Sequence, residues 1–158
     1  TTVAPTTTVA PTTTVAPTVR LTCARGGPCV AGDIGPGGGT VLVLTDGGGA
    51  TIGVFEVAPV TWYAKPAKAK AFATRLVYGS KDDWRLPNVA EGLSMADNRN
   101  LFTCPSVKRC AKGFAGSFYF TFDATSDTFS AVNFATKLVS AGEAAAYVRP
   151  VRSIGAAG

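Results

Sequence analysis

The chain has 158 residues, of which 46% are hydrophobic and 16% are charged, a balance typical of a folded globular protein. No run of 18 or more apolar residues is present, and the charged and apolar regions of a signal peptide are missing, so we expect no transmembrane segment and a mature or excised form. Histidine is absent, which excludes Ser-His-Asp and Cys-His catalytic pairs and imidazole metal ligands.

The net charge of +5 comes from 15 Lys and Arg against 10 Asp and Glu. A basic surface attracts anionic partners such as an acidic polysaccharide or a cell wall. No basic run interleaved with aromatic residues is present, so nucleic acid is not an expected partner.

The first 18 residues, TTVAPTTTVAPTTTVAPT, repeat one short unit three times. Pro5, Pro11 and Pro17 fix the backbone angle φ and favour an extended conformation in the alanine before each of them. Threonine and valine are β-branched and disfavour helix. We therefore predict an extended segment over residues 1–18 and one domain over residues 19–158.

Three interpretations of this repeat stay open. It is a semi-rigid stalk, to which Thr- and Pro-rich sequence and O-glycosylation are suited. Alternatively, it is a strand that docks on a neighbouring subunit, with Val3, Val9 and Val15 filling pockets there. The third interpretation is a cleavable linker without further function.

The four cysteines fall into two local pairs, Cys23 with Cys29 and Cys104 with Cys110, and five residues separate the members of each pair. This spacing differs from that of Cys-x-x-Cys zinc sites, so we predict two local disulfides, while crossed pairing and free thiols stay open. Disulfides form in oxidising compartments. The cysteines therefore predict a secreted or cell-surface protein.

The stretch GDIGPGGGTVLVL at residues 32–44 is rich in glycine but does not match a phosphate-binding loop. Such a loop needs a Gly-Lys-Ser/Thr ending and a following helix. Here Thr40 is followed by Val-Leu-Val-Leu, which is typical of a strand. We predict a hairpin turn at residues 46–49 and a second strand over residues 51–58.

Two helices are predicted in the middle of the chain. From Lys65 to Tyr78 the apolar residues recur at helical spacing. A second helix over residues 89–97 begins after Asn88, a good N-cap, with Glu91 at the position that a capping box requires.

The residues around the second helix predict how it packs. Val89, Leu93 and Ala96 recur on one side and are expected to face the core. We expect Trp84 to pack beneath the helix and Arg85 to pair with a carboxylate.

The final third of the chain predicts β-sheet. SFYFTFD and FSAVNF flank a turn at residues 126–127, and YVRPVRSI at residues 147–154 predicts a last strand in which Pro150 marks an edge or a bulge. Strands, two helices and further strands in one chain predict an α+β fold.

Exposed aromatic and basic side chains are the predicted ligand contacts, since aromatic faces suit sugar rings. These residues are Trp62, Tyr63, Lys65, Lys68, Arg75 and Tyr119. We interpret the carboxylates of Asp82, Asp83, Asp123 and Asp127 as solvated loop groups, and we predict no metal site and no cofactor.

Several segments, taken in order, resemble the Lcl C-terminal domain, a family of bacterial surface proteins in the C-type-lectin-like, sulfatase-modifying-factor-like fold group. GDIGPGGGTVLVL with the later FEVAP, then DWRLPNVAEGL and finally YVRPVR carry the resemblance, which covers about residues 31–154. It implies a C-type-lectin-like domain with two helices and an antiparallel sheet, and adhesion or carbohydrate and matrix binding in place of catalysis. Two departures are visible: the family's Tyr-Trp-Ser-Ser-like stretch is replaced by residues 118–121, and the Glu-Pro-Asn and Trp-Asn-Asp signatures of calcium-dependent lectins are missing.

Two functions are therefore expected, neither of them enzymatic. The first is an extracellular adhesion module on a Thr-Pro stalk that recognises a polysaccharide, cell-wall or matrix component. The alternative is a structural subunit that polymerises into an extracellular filament or sheath, with the N-terminal repeat lying on the next copy.

Overall fold

The computed structural model describes residues 22–102 and 118–155, and these residues contain two α-helices and eight β-strands. The strands are β1 (Thr40–Thr45), β2 (Thr51–Val57), β3 (Trp62–Ala64), β4 (Phe118–Asp123), β5 (Thr128–Asn133), β6 (Val139–Ala141), β7 (Ala146–Val148) and β8 (Val151–Ile154). The helices are α1 (Pro66–Arg75) and α2 (Val89–Asp97), and short 3-10 turns occupy Cys23–Arg25 and Arg99–Leu101. The predicted α+β class is confirmed.

The strands form two sheets, and only one of them is fully antiparallel. The three-stranded sheet has the order β1-β2-β8, and its pairings are antiparallel. The five-stranded sheet has the order β3-β7-β4-β5-β6, and β4 is parallel to β7 where Tyr119 pairs with Tyr147. The expectation of an antiparallel sheet is therefore corrected to one antiparallel and one mixed sheet.

The predicted last strand, YVRPVRSI, is in fact two strands in different sheets. β7 ends at Val148 in the larger sheet, and β8 begins at Val151 in the smaller one. Pro150 lies between them and has no N–H to donate to a ladder. Its carbonyl accepts a hydrogen bond from the Ala58 N–H at 2.9 Å, and this bond continues the alignment of β2 with β8.

Both predicted hairpins are confirmed. Between β1 and β2 the Asp46 carboxylate accepts hydrogen bonds from the backbone N–H groups of Gly48 at 2.9 Å and Ala50 at 2.8 Å. Between β4 and β5 the turn includes Asp127, whose φ of 53° is in the left-handed region. A short acidic side chain holds the first turn, and a residue in the left-handed conformation forms part of the second. Both features are typical of tight connections.

Helix α2 packs between the two sheets and contacts β1 on one side and β4 and β5 on the other. Met95 and Ala96 are buried in the main core, whereas Val89 and Leu93 are only partly covered. The predicted core face is therefore correct at Ala96 and at Leu93, which packs against the main core, and it also includes Met95. Gly92 allows close approach, because a Cβ there would lie 2.6 Å from Cγ2 of Thr121.

The main core joins aliphatic and aromatic residues of both sheets with those of α2. Its buried members are Leu42, Phe55, Val57, Met95, Ala96, Phe102, Tyr119, Val132, Phe134 and Val151.

Helix α1 ends at Arg75, three residues before the predicted end. Leu76 takes an extended conformation with ψ of 124°, and the backbone of Tyr78 pairs with that of Lys81 around a tight turn. Ala69 and Ala73 are fully buried on the side of α1 that packs against the larger sheet. Small side chains at these two positions let the helix lie close to the strands.

The local predictions are confirmed in part. The disulfide between Cys23 and Cys29 is present. Trp84 is buried and its Nε1 donates to the carbonyls of Tyr78 and Lys81, whereas its packing beneath α2 stays a prediction. Cys104 and Cys110 lie outside the described residues, as does the repeat over residues 1–18. In residues 22–102 and 118–155, no helix has the length and apolarity needed to cross a membrane.

Candidate functional site

An open groove of about 420 Å³ lies along α1, between the helix and the end of β3. Its volume is in the range of small-molecule sites. The groove is lined by apolar, aromatic and basic side chains, namely Trp62, Lys68, Ala71, Phe72, Arg75, Leu76 and Val77.

The local sequence explains how these side chains come together. β3 presents Trp62, whose register partner is Val148 in β7. Lys65 is the N-cap of α1 and Pro66 takes the first helical position, where proline is favoured because its missing N–H is not needed. Positions 68, 72 and 75 are spaced by four and three residues, so they lie on one face of the helix.

An aromatic pair forms the floor of the groove. The ring centroids of Trp62 and Phe72 are 5.0 Å apart, with an angle of 46° between the ring planes. Trp62 remains 42% exposed, and Val77 beside it is 71% exposed. Phe72 is not among the predicted ligand contacts; its helical spacing from Lys68 and Arg75 is the signal that places it in the groove.

The two basic side chains of the groove face no opposing charge within the part of the chain that the structure describes. Among residues 22–102 and 118–155, Lys68 and Arg75 form neither an ion pair nor a side-chain hydrogen bond. Lys70 on the same helix is different, since its Nζ lies 3.0 Å from the Asp127 carboxylate and 4.1 Å from the centre of the Phe122 ring. Seven residues of helix separate Lys68 from Arg75 by about 10 Å along the axis.

Two predicted contacts lie outside this groove. Lys65 is exposed at the start of α1 but is not among the residues that line the groove. Tyr63 points to the other face of β3 from Trp62, because side chains alternate along a strand. Its ring packs edge-on against that of Tyr147, with centroids 5.1 Å apart, beside a separate small pocket.

The prediction that Tyr119 is an exposed ligand contact is wrong. Tyr119 is 1% exposed and stacks on Phe134, with ring centroids 4.1 Å apart. Burial raises the pKa of its hydroxyl. The alternation in Phe-Tyr-Phe-Thr-Phe did not distinguish the two faces of β4, because both faces of the central strand are covered.

Two of the loop carboxylates accept hydrogen bonds that hold them within the protein. Asp83 accepts two hydrogen bonds from Arg152, from Nε at 2.7 Å and from Nη2 at 3.1 Å, and these bonds lower the pKa of Asp83. Asp123 accepts from the Ser126 hydroxyl at 2.7 Å, which lowers the pKa of Asp123. In the described parts of the chain no group of three or more Asp, Glu, Cys or His is placed to hold a metal ion.

The glycine-rich loop before β1 does bind an anionic group, and that group is the carboxylate of Glu56. The backbone N–H groups of Gly37 and Gly39 donate to Glu56 at 3.1 and 2.6 Å, and Arg152 donates from Nη1 at 2.9 Å. Glu56 is completely buried. This internal anion site was not predicted; a lone glutamate in the apolar strand TIGVFEVA was the signal for it.

A buried arginine supports the end of the groove formed by β3. The Nη1 of Arg149 donates to the hydroxyl of Thr61 at 2.6 Å, directly before Trp62. The guanidinium also lies 5.6 Å from the centre of the Phe102 ring. Burial lowers the pKa of Arg149 to about 10, so the side chain remains charged at neutral pH.

No model of a known protein family matches the sequence, and a search of the curated proteins finds no match either. The resemblance to the Lcl C-terminal domain stays a prediction.

Proposed function

We propose that this chain is an extracellular, non-enzymatic binding module that recognises an acidic polysaccharide of a cell wall or matrix through the groove along α1. In this proposal the domain is C-type-lectin-like and residues 1–18 form an extended Thr-Pro stalk. The single observation that carries the proposal is the aromatic pair of Trp62 and Phe72 flanked by two basic side chains that have no acidic partner among the described residues.

The two kinds of side chain suit the two parts of such a ligand. A sugar ring has apolar C–H faces that pack on an aromatic ring, and Trp62 is exposed enough to receive one. Lys68 and Arg75 then offer charge-assisted hydrogen bonds to acidic groups on neighbouring sugars of the polysaccharide. The protein's net charge of +5 would favour the approach of a polyanion.

The buried carboxylates support binding over catalysis. Glu56 is held by Arg152 and two backbone N–H groups, and Glu91 is held by Arg85 and by the cap of α2. Neither is open to a substrate, since Glu56 is 0% and Glu91 is 3% exposed. The residues that line the groove are apolar, aromatic or cationic, and none of them carries a carboxylate, hydroxyl or thiol.

The disulfide supports the extracellular location. Cys23 and Cys29 close a small loop that follows the N-terminal repeat in the sequence. Structural disulfides persist in oxidising compartments and are rare in the cytosol.

The test is binding of the full chain to immobilised polygalacturonate, hyaluronan and chondroitin sulfate, with neutral dextran for comparison. We expect binding to at least one acidic polymer, weakened by added salt because exposed charges are screened. Trp62→Ala should weaken it about tenfold through loss of ring stacking. Lys68→Ala should weaken it by a similar factor through loss of a charge-assisted hydrogen bond.

Lys70→Ala is the matched control, since it removes the same charge from the same helix but from a side chain that is already paired with Asp127. If Lys68→Ala and Lys70→Ala weaken binding equally, non-specific charge explains it and the groove is the wrong site. Absence of binding across all four polymers would contradict the proposal as a whole.

A further inference from the structure

A second open pocket, of about 360 Å³, lies on the flank of α1 opposite the groove. The groove uses positions 68, 72 and 75 of the helix, whereas the second pocket uses Lys70 and Thr74, which helical spacing places on the other flank. The segment before α2 and the turn after β4 complete its lining, which consists of Lys70, Thr74, Arg85, Leu86, Asn88, Phe122, Asp123, Ala124 and Thr125.

The second pocket has an apolar wall that the fold holds in place. The backbone N–H of Phe122 donates to the carbonyl of Pro87 at 2.8 Å, which fixes the end of β4 against the segment before α2. Leu86 is buried beside this bond, and the Phe122 ring is half-buried with the Nζ of Lys70 4.1 Å from its centre. The volume of the pocket is in the range of small-molecule sites.

The basic side chains that line the second pocket are already paired. The Nζ of Lys70 lies 3.0 Å from the Asp127 carboxylate. Arg85 donates two hydrogen bonds of 2.7 Å to the buried carboxylate of Glu91. Neither cation is therefore left to attract an anion, which distinguishes this pocket from the groove.

The one acidic side chain in the lining opposes an acidic ligand. The carboxylate of Asp123 accepts hydrogen bonds from the Ser126 hydroxyl at 2.7 Å and from the Thr125 N–H at 2.9 Å, and these bonds lower its pKa. It is therefore charged at neutral pH and repels a second carboxylate or a sulfate. Its oxygens can still accept a hydrogen bond from a hydroxyl group.

Uncharged polar groups supply further contacts at the rim of the second pocket. The side-chain oxygen of Asn88 accepts from the Glu91 N–H, so the amide nitrogen is the other atom, and it donates to no group within residues 22–102 and 118–155. The Thr74 hydroxyl donates to the carbonyl of Lys70 at 3.0 Å, which leaves its oxygen as an acceptor. An apolar wall with separate donors and acceptors fits the face and the hydroxyl groups of an uncharged sugar ring.

Small side chains cover the solvent side of α1 between the groove and the second pocket. Ala67 is exposed and Ala71 is half-exposed there, whereas Ala69 and Ala73 are buried against the larger sheet. A helix with its side chains is about 10–12 Å across. An oligosaccharide of several sugars can therefore pass over α1 and reach both sites.

We propose that the second pocket binds an uncharged sugar of the same polysaccharide whose acidic sugars occupy the groove, so that the ligand crosses α1. This inference rests on the function proposed above and specifies its ligand as a polymer that contains both acidic and uncharged sugars.

The experiment is titration calorimetry of the full chain with hyaluronan and polygalacturonate fragments of equal length. Hyaluronan alternates an acidic with an uncharged sugar, whereas every sugar of polygalacturonate is acidic. We expect hyaluronan to bind at least about fivefold more tightly, because only this polymer fills both sites at once. Trp62→Ala should weaken the binding of both polymers. Because Lys70 borders the second pocket, Lys68→Ala and Lys70→Ala are compared on polygalacturonate.

Ala124→Tyr tests the second pocket by filling it with a ring. It should weaken hyaluronan binding about tenfold and change polygalacturonate binding no more than about twofold. Ala135→Tyr is the matched control, since Ala135 is exposed in the turn after β5 and is not among the residues that line the pocket; it should leave both affinities unchanged. Thr74→Val removes a hydroxyl with little change in volume and should weaken hyaluronan binding about fivefold.

The outcomes separate this inference from the function on which it rests. Equal affinity for the two polymers, or hyaluronan binding that survives both Ala124→Tyr and Thr74→Val, would overturn the second site and leave the groove standing. Equal weakening by Ala124→Tyr and Ala135→Tyr would do the same. Absence of binding to either polymer would overturn this inference and count against the proposed function as well.

Discussion

Glu56 organises the glycine-rich loop before β1, which does not match the pattern of a phosphate-binding loop. Its carboxylate accepts hydrogen bonds from two backbone N–H groups of the glycine-rich loop and from the guanidinium of Arg152. A Cβ on Gly35 would lie 2.6 Å from Cδ of Glu56, so glycine is required there for space. The loop therefore folds around an anion that the protein itself supplies.

Replacing this carboxylate should be costly. Glu56→Gln keeps the shape but removes the charge opposite Arg152, and breaking one side of a buried ion pair costs about 3–5 kcal/mol. We expect a loss of about 3 kcal/mol in the free energy of unfolding, measured by urea denaturation at pH 7.

Glu143→Gln is the matched control for this change. From the described residues Glu143 accepts one side-chain hydrogen bond, from the Ser140 hydroxyl at 3.0 Å, and it is partly exposed, so its replacement should cost less than about 1 kcal/mol. Equal losses in the two variants would mean that the charge of Glu56 does not stabilise the loop.

At the scale of elements, α2 depends on its N-terminal cap. The side chain of Asn88 accepts from the Glu91 N–H at 2.8 Å, and the Glu91 carboxylate accepts from the Asn88 N–H at 2.8 Å. Asn88→Ala should destabilise the protein by about 1 kcal/mol, visible as a lower Tm, because one N–H at the helix start loses its acceptor. Asn88→Asp keeps an acceptor there and should remain close to the unchanged protein; a loss as large as that of Asn88→Ala would show that the cap is not the cause.

The elements that the sequence predicts well are those with a local physical cause. The capping box places the start of α2, and the glycine turn places the first hairpin. The end of α1 and the division of the last strand depend on contacts distant in sequence. The N–H of Arg85 bonds to the carbonyl of Val151 at 2.8 Å, and no local pattern in the chain reports such a pairing.

The candidate groove was predictable only in part for the same reason. The sequence predicts Trp62, Lys68 and Arg75 as ligand contacts because they are aromatic or basic side chains expected to be exposed. The burial of Tyr119 and the orientation of Tyr63 follow from the positions of β4 and β3 in the larger sheet, whose order, β3-β7-β4-β5-β6, is not sequential.

At the scale of the whole molecule, Arg152 joins segments that are far apart in the chain. Its guanidinium contacts Glu56 of β2 and also Asp83 in the segment leading to α2. The hydrogen bonds that Arg152 donates to Asp83 and to Glu56 raise the pKa of Arg152, so its guanidinium stays charged. The ion pair with Asp83 is the outer, half-exposed part of this connection, since 54% of that side chain is accessible.

The pair of Asp83 and Arg152 predicts a loss of stability in acid. Because Arg152 holds the pKa of Asp83 below its ordinary value of 3.8, the unfolded state binds the proton more readily than the folded state. The stabilisation is fully present above about pH 4 and is lost as the pH falls through the lowered pKa. Its size should be about 0.5–1 kcal/mol, because solvent screens a half-exposed pair.

The measurement is the free energy of unfolding of the full chain from pH 7 to pH 2 for three proteins: unchanged, Asp83→Asn and Asp82→Asn. Asp82 is the adjacent carboxylate and has no hydrogen bond or ion pair to residues 22–102 or 118–155, so its variant changes the net charge equally without touching Arg152. We expect Asp83→Asn to be less stable at pH 7 and to lose less than the unchanged protein below pH 4, while Asp82→Asn follows the unchanged curve. Parallel curves for all three proteins would show that Arg152 stabilises the fold through Glu56 alone.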